Sequence, residues 1–219
     1  MDSRQRPIGA VPSTQVPRYA GKGTFARIAD INEVGDYDIA VLGVPFDGGT
    51  SYRPGARFGP LAVRQAARAL RPGYHVELGV APLEVVQIVD AGDVTVTPYD
   101  ITEACTQIQN RVQEVMGDRG RRIVSIGGDH TIALPNLRAL HRKHGPIALV
   151  HFDAHLDTWD TYFNAPVTHE RSSGGLSKRG CSSRTTRSTS AFADRSTTAW
   201  TSPTTPAWAS RSFARVIST

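Results

Sequence analysis

An α/β fold built on a parallel sheet is what this 219-residue chain predicts, on three observations. Short apolar runs rich in β-branched residues alternate with segments of helical periodicity. Those runs are apolar on both faces, as strands are when helices cover a sheet on each side. Two of them end abruptly in Asp and His, at the carboxyl ends where open α/β sheets gather their ligands.

The elements follow in order. Residues 1–20 are a Pro-containing arm expected to pack as irregular chain. Ile39 to Val44 reads as a strand, followed by a Gly- and Arg-rich loop and a helix from about Pro60 to Leu70, with Pro60 suited to a first turn. Val85 to Asp90 reads as a strand. Ile101 to Met116 reads as a helix, because Ile101, Cys105, Ile108, Val112 and Val115 recur at three- and four-residue spacing and share one face. Arg122 to Ile126 and Ile147 to Phe152 are the two strands that end in ligand-type residues, and a helix from about Leu134 to His144 lies between them. Alternation of strand and helix implies right-handed crossovers in three layers. The length suits one core, and no internal repeat is present.

The chemistry is concentrated in Gly127-Gly128-Asp129-His130 and in His151-Phe152-Asp153-Ala154-His155-Leu156-Asp157. Side chains alternate along an extended segment, so Asp153, His155 and Asp157 project to one side and span about 14 Å of backbone. Three ligand-type residues on one face suit two ions better than one. An isolated Asp-x-His is common in loops; Asp153, His155 and Asp157 together with His130 upstream make a stronger signal. Asp129 has two readings, an acceptor that orients His130 or a loop carboxylate that satisfies backbone amides. His151, four residues before His155, faces the same side and is expected as packing below the site. His141 and His144 read as surface residues at a helix C-terminus, and His75 as a turn residue. The glycines of Asp47-Gly48-Gly49-Thr50 lack the Lys-Ser/Thr of a phosphate loop, which argues against nucleotide binding.

These two runs, with Gly43-Val44-Pro45-Phe46-Asp47 and the segment Ser51-Tyr52-Arg53-Pro54-Gly55-Ala56-Arg57-Phe58-Gly59-Pro60, resemble the ureohydrolase (arginase) family, in its agmatinase and guanidinobutyrase branch. The similarity covers about Val16 to His169. It implies a three-layer parallel sheet of the arginase/deacetylase type with its second half missing. It further implies two Mn²⁺ ions, His130, Asp153 and Asp157 matching ligands of one and Asp153 with His155 matching ligands of the other, Asp153 bridging. Such ions activate water for attack on a guanidinium carbon, releasing urea and an amine. Carboxylate and imidazole ligands suit Mn²⁺, whereas a lone zinc site more often has Cys or three His. His169 matches the family's Thr-His-Gly stretch, whose His lies near the substrate and shuttles protons; the following position is Glu170 here. The resemblance also implies a homo-oligomer.

Residues 21–169 thus read as the amino-terminal part of a ureohydrolase domain, and 170–219 as a non-family tail, expected to be disordered. About two-fifths of that tail is Ser or Thr, and no apolar periodicity runs through it. Asp194 is its only Asp, so the family's later Asp-x-Asp ligands do not appear. A one-base slip just after His169 accounts for such a composition, since apolar codons read out of frame become Ser-type codons. The tail carries eight Lys or Arg against two acids, a net of about +6 in a chain whose total is +5. The high isoelectric point therefore belongs to the tail and gives no reason to expect a nucleic-acid partner for the rest. Only two cysteines occur, far apart; Met1 to Pro7 lack the apolar core expected of a signal peptide, and no run of about 18 apolar residues occurs. A reducing cytoplasm and no membrane partner are the expectations.

Three functions remain open. The first is hydrolysis of a small guanidino substrate, agmatine or guanidinobutyrate, at two manganese ions, which for agmatine leaves putrescine. The second is a zinc-dependent amidohydrolase or deacetylase of related fold, which also uses Asp-x-His at a strand end. The third is a catalytically inactive, truncated remnant of the first.

Overall fold

The computed structural model describes residues 7–71 and 73–153, and the backbone of 185–187 and 213–215. After an arm without helix or strand come a 3₁₀ turn at Phe25–Arg27, strand β1 (Ala29–Asp30) and a second turn at Ile31–Glu33. Then follow β2 (Ile39–Val44), a 3₁₀ turn at Ala56–Phe58, α1 (Gly59–Ala67), the single turn α2 (Pro82–Val85) and β3 (Ile88–Asp93). Helix α3 (Ile101–Met116), β4 (Arg122–Gly127), a turn at His130–Ile132, α4 (Ala133–His144) and β5 (Ala148–His151) complete the main body. Two three-residue strands, β6 (Thr185–Arg187) and β7 (Phe213–Arg215), flank β5.

Among the described residues the named strands pair in parallel, in two groups: β1-β3-β2-β4, and β6-β5-β7. The expected α/β architecture is what the chain adopts. Alternation along β2 sorts its two faces. Ala40, Leu42 and Val44 enter the main core with Ala104, Ile108, Val112 and Val115 of α3. On the other face, a Cβ at Gly43 would meet the Arg64 guanidinium of α1. Helices therefore cover both sides of β2, which is why its sequence is apolar throughout. Ile108, Val112, Val115 and Met116 are each at most 2% exposed, a burial that stabilises by about 1.5–3 kcal/mol per side chain.

Helix ends follow their local chemistry. Asp100 caps α3, its carboxylate accepting from the amides of Thr102 and Glu103 at 2.8 and 3.0 Å. Gly145, at φ +73°, ends α4 in a conformation that suits glycine, and its amide donates to the His141 carbonyl. A smaller core of Leu134, Leu137, Ile147 and Leu149 joins α4 to β5.

Several boundaries differ from expectation. The strand expected at Val85 to Asp90 begins at Ile88, because Pro82–Val85 closes into a helical turn with Pro82 at its start. The helix expected to reach Leu70 ends at Ala67. The two-residue β1 was not anticipated; it is held by pairing with Val89 and Asp90, a long-range contact without a local signature.

Candidate metal centre

The site begins where β4 stops. Gly128 has φ +70°, and a Cβ there would lie 2.6 Å from the Val44 carbonyl oxygen and against that of Phe46. Only glycine lets the chain turn this close to the end of β2. The Asp129 amide then donates to the Phe46 carbonyl at 2.8 Å, locking the β4 exit to the β2 exit.

Asp129, 8% exposed, accepts from the Gly49 amide through Oδ2 and from the Thr131 amide through Oδ1, both at 2.8 Å. It caps the turn His130–Ile132 and ties it to the loop after β2. Of its two readings, the structure shows Asp129 satisfying backbone amides.

The loop after β2 is pinned from within. Asp47 is 1% exposed and accepts from the amides of Gly55 and Arg57 and from the Arg57 guanidinium. Burial by itself would raise its carboxyl pKa, but the Arg57 side chain and the two amides outweigh that and hold it below the usual carboxylate range. Gly59 packs against Gly127, and the Gly128 amide donates to the Ala56 carbonyl at 3.3 Å. The exposed arc containing Tyr52 and Arg53 is thereby set beside the turn that carries His130, and the Arg53 guanidinium lies 5.8 Å from the Tyr52 ring centroid.

His130 and Asp153, two sequence-predicted ligands, come together although β4 and β5 belong to different groups of strands. His130 Nδ1 lies 3.8 Å from Asp153 Oδ2. His151 joins them, with Nε2 3.6 Å from Asp153 Oδ2 and its ring 5.0 Å, centroid to centroid, from that of His130. Donor atoms of His130, His151 and Asp153 all fall within 4.8 Å of one another. His155, Asp157 and His169 lie outside the described residues.

His151 was expected only as packing. Its share in the cluster was foreshadowed by spacing, since two residues along a strand return to the same face and place it with Asp153. What spacing did not indicate is its closeness to His130, which depends on how α4 seats β5. A buried imidazole nitrogen that has no hydrogen-bond partner among the described residues, as His151 Nε2 has none, costs about 1–3 kcal/mol unless something compensates. The Asp153 carboxylate and the His130 imidazole beside it are donors that divalent transition-metal ions accept.

Comparison with known proteins bears on the family and the fold. A sequence model of the arginase family matches residues 37–191. The guanidinobutyrase of Pseudomonas aeruginosa is 38% identical over 167 residues, covering 75% of this chain and 51% of the relative. Among solved structures, proclavaminate amidino hydrolase from Streptomyces clavuligerus superposes with a TM-score of 0.68 at 35% identity, over 75% of this chain and 54% of that one. Formiminoglutamase from Trypanosoma cruzi, described with Mn²⁺, gives 0.59 at 27% identity over 70% and 52%. The chain spans about half the length of the curated relatives it matches. No helix among the described residues is long and apolar enough to cross a membrane. A parallel sheet covered by helices, a His/Asp cluster at the carboxyl ends of its strands and these matches together place the chain in the arginase family.

Proposed function

We propose that this protein is a ureohydrolase of the agmatinase type that hydrolyses a guanidino compound, agmatine or guanidinobutyrate, to urea and an amine with two manganese ions. The observation that supports it most is the approach of His130 to Asp153 from separate strand ends in a chain of the arginase family. His130 and Asp153, with His155 and Asp157 from the same run, would hold the ions. When bound, the ions supply water activated for nucleophilic attack.

The chain's own residues do the rest. Asp129 fixes the His130 turn through two amides, so that ligand needs little reorganisation on binding. Asp47 and Arg57 hold the loop that carries Tyr52 and Arg53 at the mouth. His169 is assigned the proton exchange with the departing amine, for which an imidazole is suited near neutral pH. Manganese is supported by the carboxylate and imidazole donors and by the Mn²⁺ in the Trypanosoma cruzi relative.

The test is metal stoichiometry of the 219-residue chain with urea release from agmatine and from guanidinobutyrate. Two Mn²⁺ per chain with urea is the expected result. Zinc uptake with deacetylation would transfer the protein to the deacetylase-like alternative, and neither uptake nor turnover would mark an inactive remnant.

A further inference from the structure

We propose that His151 is a positioning residue for the ion site: seated beneath His130 and Asp153, it holds both and donates a hydrogen bond from Nε2 to the Asp153 carboxylate when a divalent ion is bound. This rests on the reading of His130 and Asp153 as ligands. It adds a residue to which the ureohydrolase resemblance gives no part.

Three observations carry it. The His151 side chain is 8% exposed, against 13% for His130 and 14% for Asp153, so it lies on the inner side of the cluster. It touches both partners, the Asp153 carboxylate 3.6 Å from Nε2 and the His130 ring tilted by 49° at 5.0 Å between centroids. Its Nε2 is buried and has no hydrogen-bond partner among the described residues. A shift of about 0.6 Å would bring Nε2 to ordinary hydrogen-bond distance from Oδ2.

The physical logic is that of outer partners of metal ligands. A carboxylate that holds a metal ion must keep one orientation, and a hydrogen bond from a rigid neighbour supplies that constraint; removing such partners typically costs 10–100-fold in affinity. His151 is held on β5, which Leu149 anchors to α4 in the smaller core. The donor is thus on a strand rather than on a loop. Packing of the His151 ring against His130 couples the two strand ends, which share no backbone hydrogen bonds in their sheets.

The experiment is calorimetric titration of the full chain with Mn²⁺, comparing wild type, His151→Phe and His151→Gln. The Phe variant keeps ring bulk and loses the donor; the Gln variant returns an N–H near the place of Nε2. Expected are a 10–100-fold weaker Mn²⁺ affinity in His151→Phe, recovery to within about threefold in His151→Gln, and a metal-free melting temperature close to wild type in both. Equal affinity in wild type and His151→Phe would overturn the proposal, as would equal weakening in both variants. Nitrogen NMR of the wild type loaded with Zn²⁺ remains decisive if His151→Phe fails to fold. A protonated His151 Nε2 supports the donor role, and an Nε2 bonded to the metal overturns it. His130→Ala separates the two readings. Loss of affinity there with none in His151→Phe removes only the role of His151, whereas full affinity in His130→Ala removes the ligand reading itself.

Discussion

Replacing Asp129 by alanine strips the acceptor from two backbone amides at once, those of Gly49 and Thr131, each held at 2.8 Å. Both stay where water has little access: Gly49 is buried and Thr131 is 0% exposed. An unsatisfied buried donor costs about 1–3 kcal/mol, so two bound the loss at about 2–6 kcal/mol. Relaxation of the Gly48–Gly49 turn recovers part of this, and about 3 kcal/mol is the expected destabilisation. In a domain of this size that lowers the melting temperature by about 6–12 °C. Asp129→Asn should lose about half as much, because the amide keeps one acceptor and turns an NH₂ toward the other donor. Urea denaturation of the metal-free chain measures the stability change, and Mn²⁺ titration measures the loosening of the His130 turn, expected as weaker affinity in the same order. An Asp129→Ala variant within 0.5 kcal/mol of wild type would refute the reasoning, since the capped turn would then not depend on its cap.

Two further outcomes follow from the same geometry. Gly128→Ala combines a φ of +70° with a Cβ driven against the carbonyls of Val44 and Phe46; a loss of more than about 2 kcal/mol is expected, and a neutral result in denaturant melts would show that the β4 exit can shift. Acid should also weaken the fold. Asp47 and Asp90 are buried carboxylates; burial raises their pKa, but hydrogen bonds from Arg57 and Arg64 respectively, with backbone amides, leave both below the usual value. The exposed Asp36 is drawn to about 2 by Arg121 and Arg119. Lowered folded-state values mean that the stabilisation is complete above the unfolded carboxylate pKa, about 3.9, and is lost as pH falls through the folded values. Thermal stability should therefore be flat in its carboxylate contribution above about pH 5 and drop steeply below pH 4. A chain equally stable at pH 2.5 and pH 6 would contradict the ion-pair assignments.

Much of the fold was legible because the signals were local. Helix α3 was bounded correctly at both ends: its apolar face repeats at helical spacing, Asp100 caps its start, and Gly117, at φ +50°, closes its end. β2 was equally clear, being an unbroken apolar run. β1 was not, since two residues carry no periodicity and their strand character comes from β3. Arg64 shows the same limit. It lies on α1, 8% exposed, and is paired with Asp90 and Asp93 more than 25 positions away, a connection no local pattern announces. The motif residues were readable by type and spacing, whereas the amide partners of Asp129 became visible only in the fold.

Sequence alone determined the chemistry on offer: carboxylates and imidazoles at strand ends, a glycine turn beside them, and the alternation that puts His151 and Asp153 on one face. Those properties, so far as His151 and Asp153 show them, are set by side-chain identity and by the two-residue repeat of extended backbone, both local. The tertiary structure decided which groups meet. His130 and His151 are 21 positions apart and on strand ends that share no backbone pairing, and their contact exists because α4 packs β5 against the body that carries His130. Such contacts are fixed by the summed packing of a core, a quantity that no short stretch of residues contains.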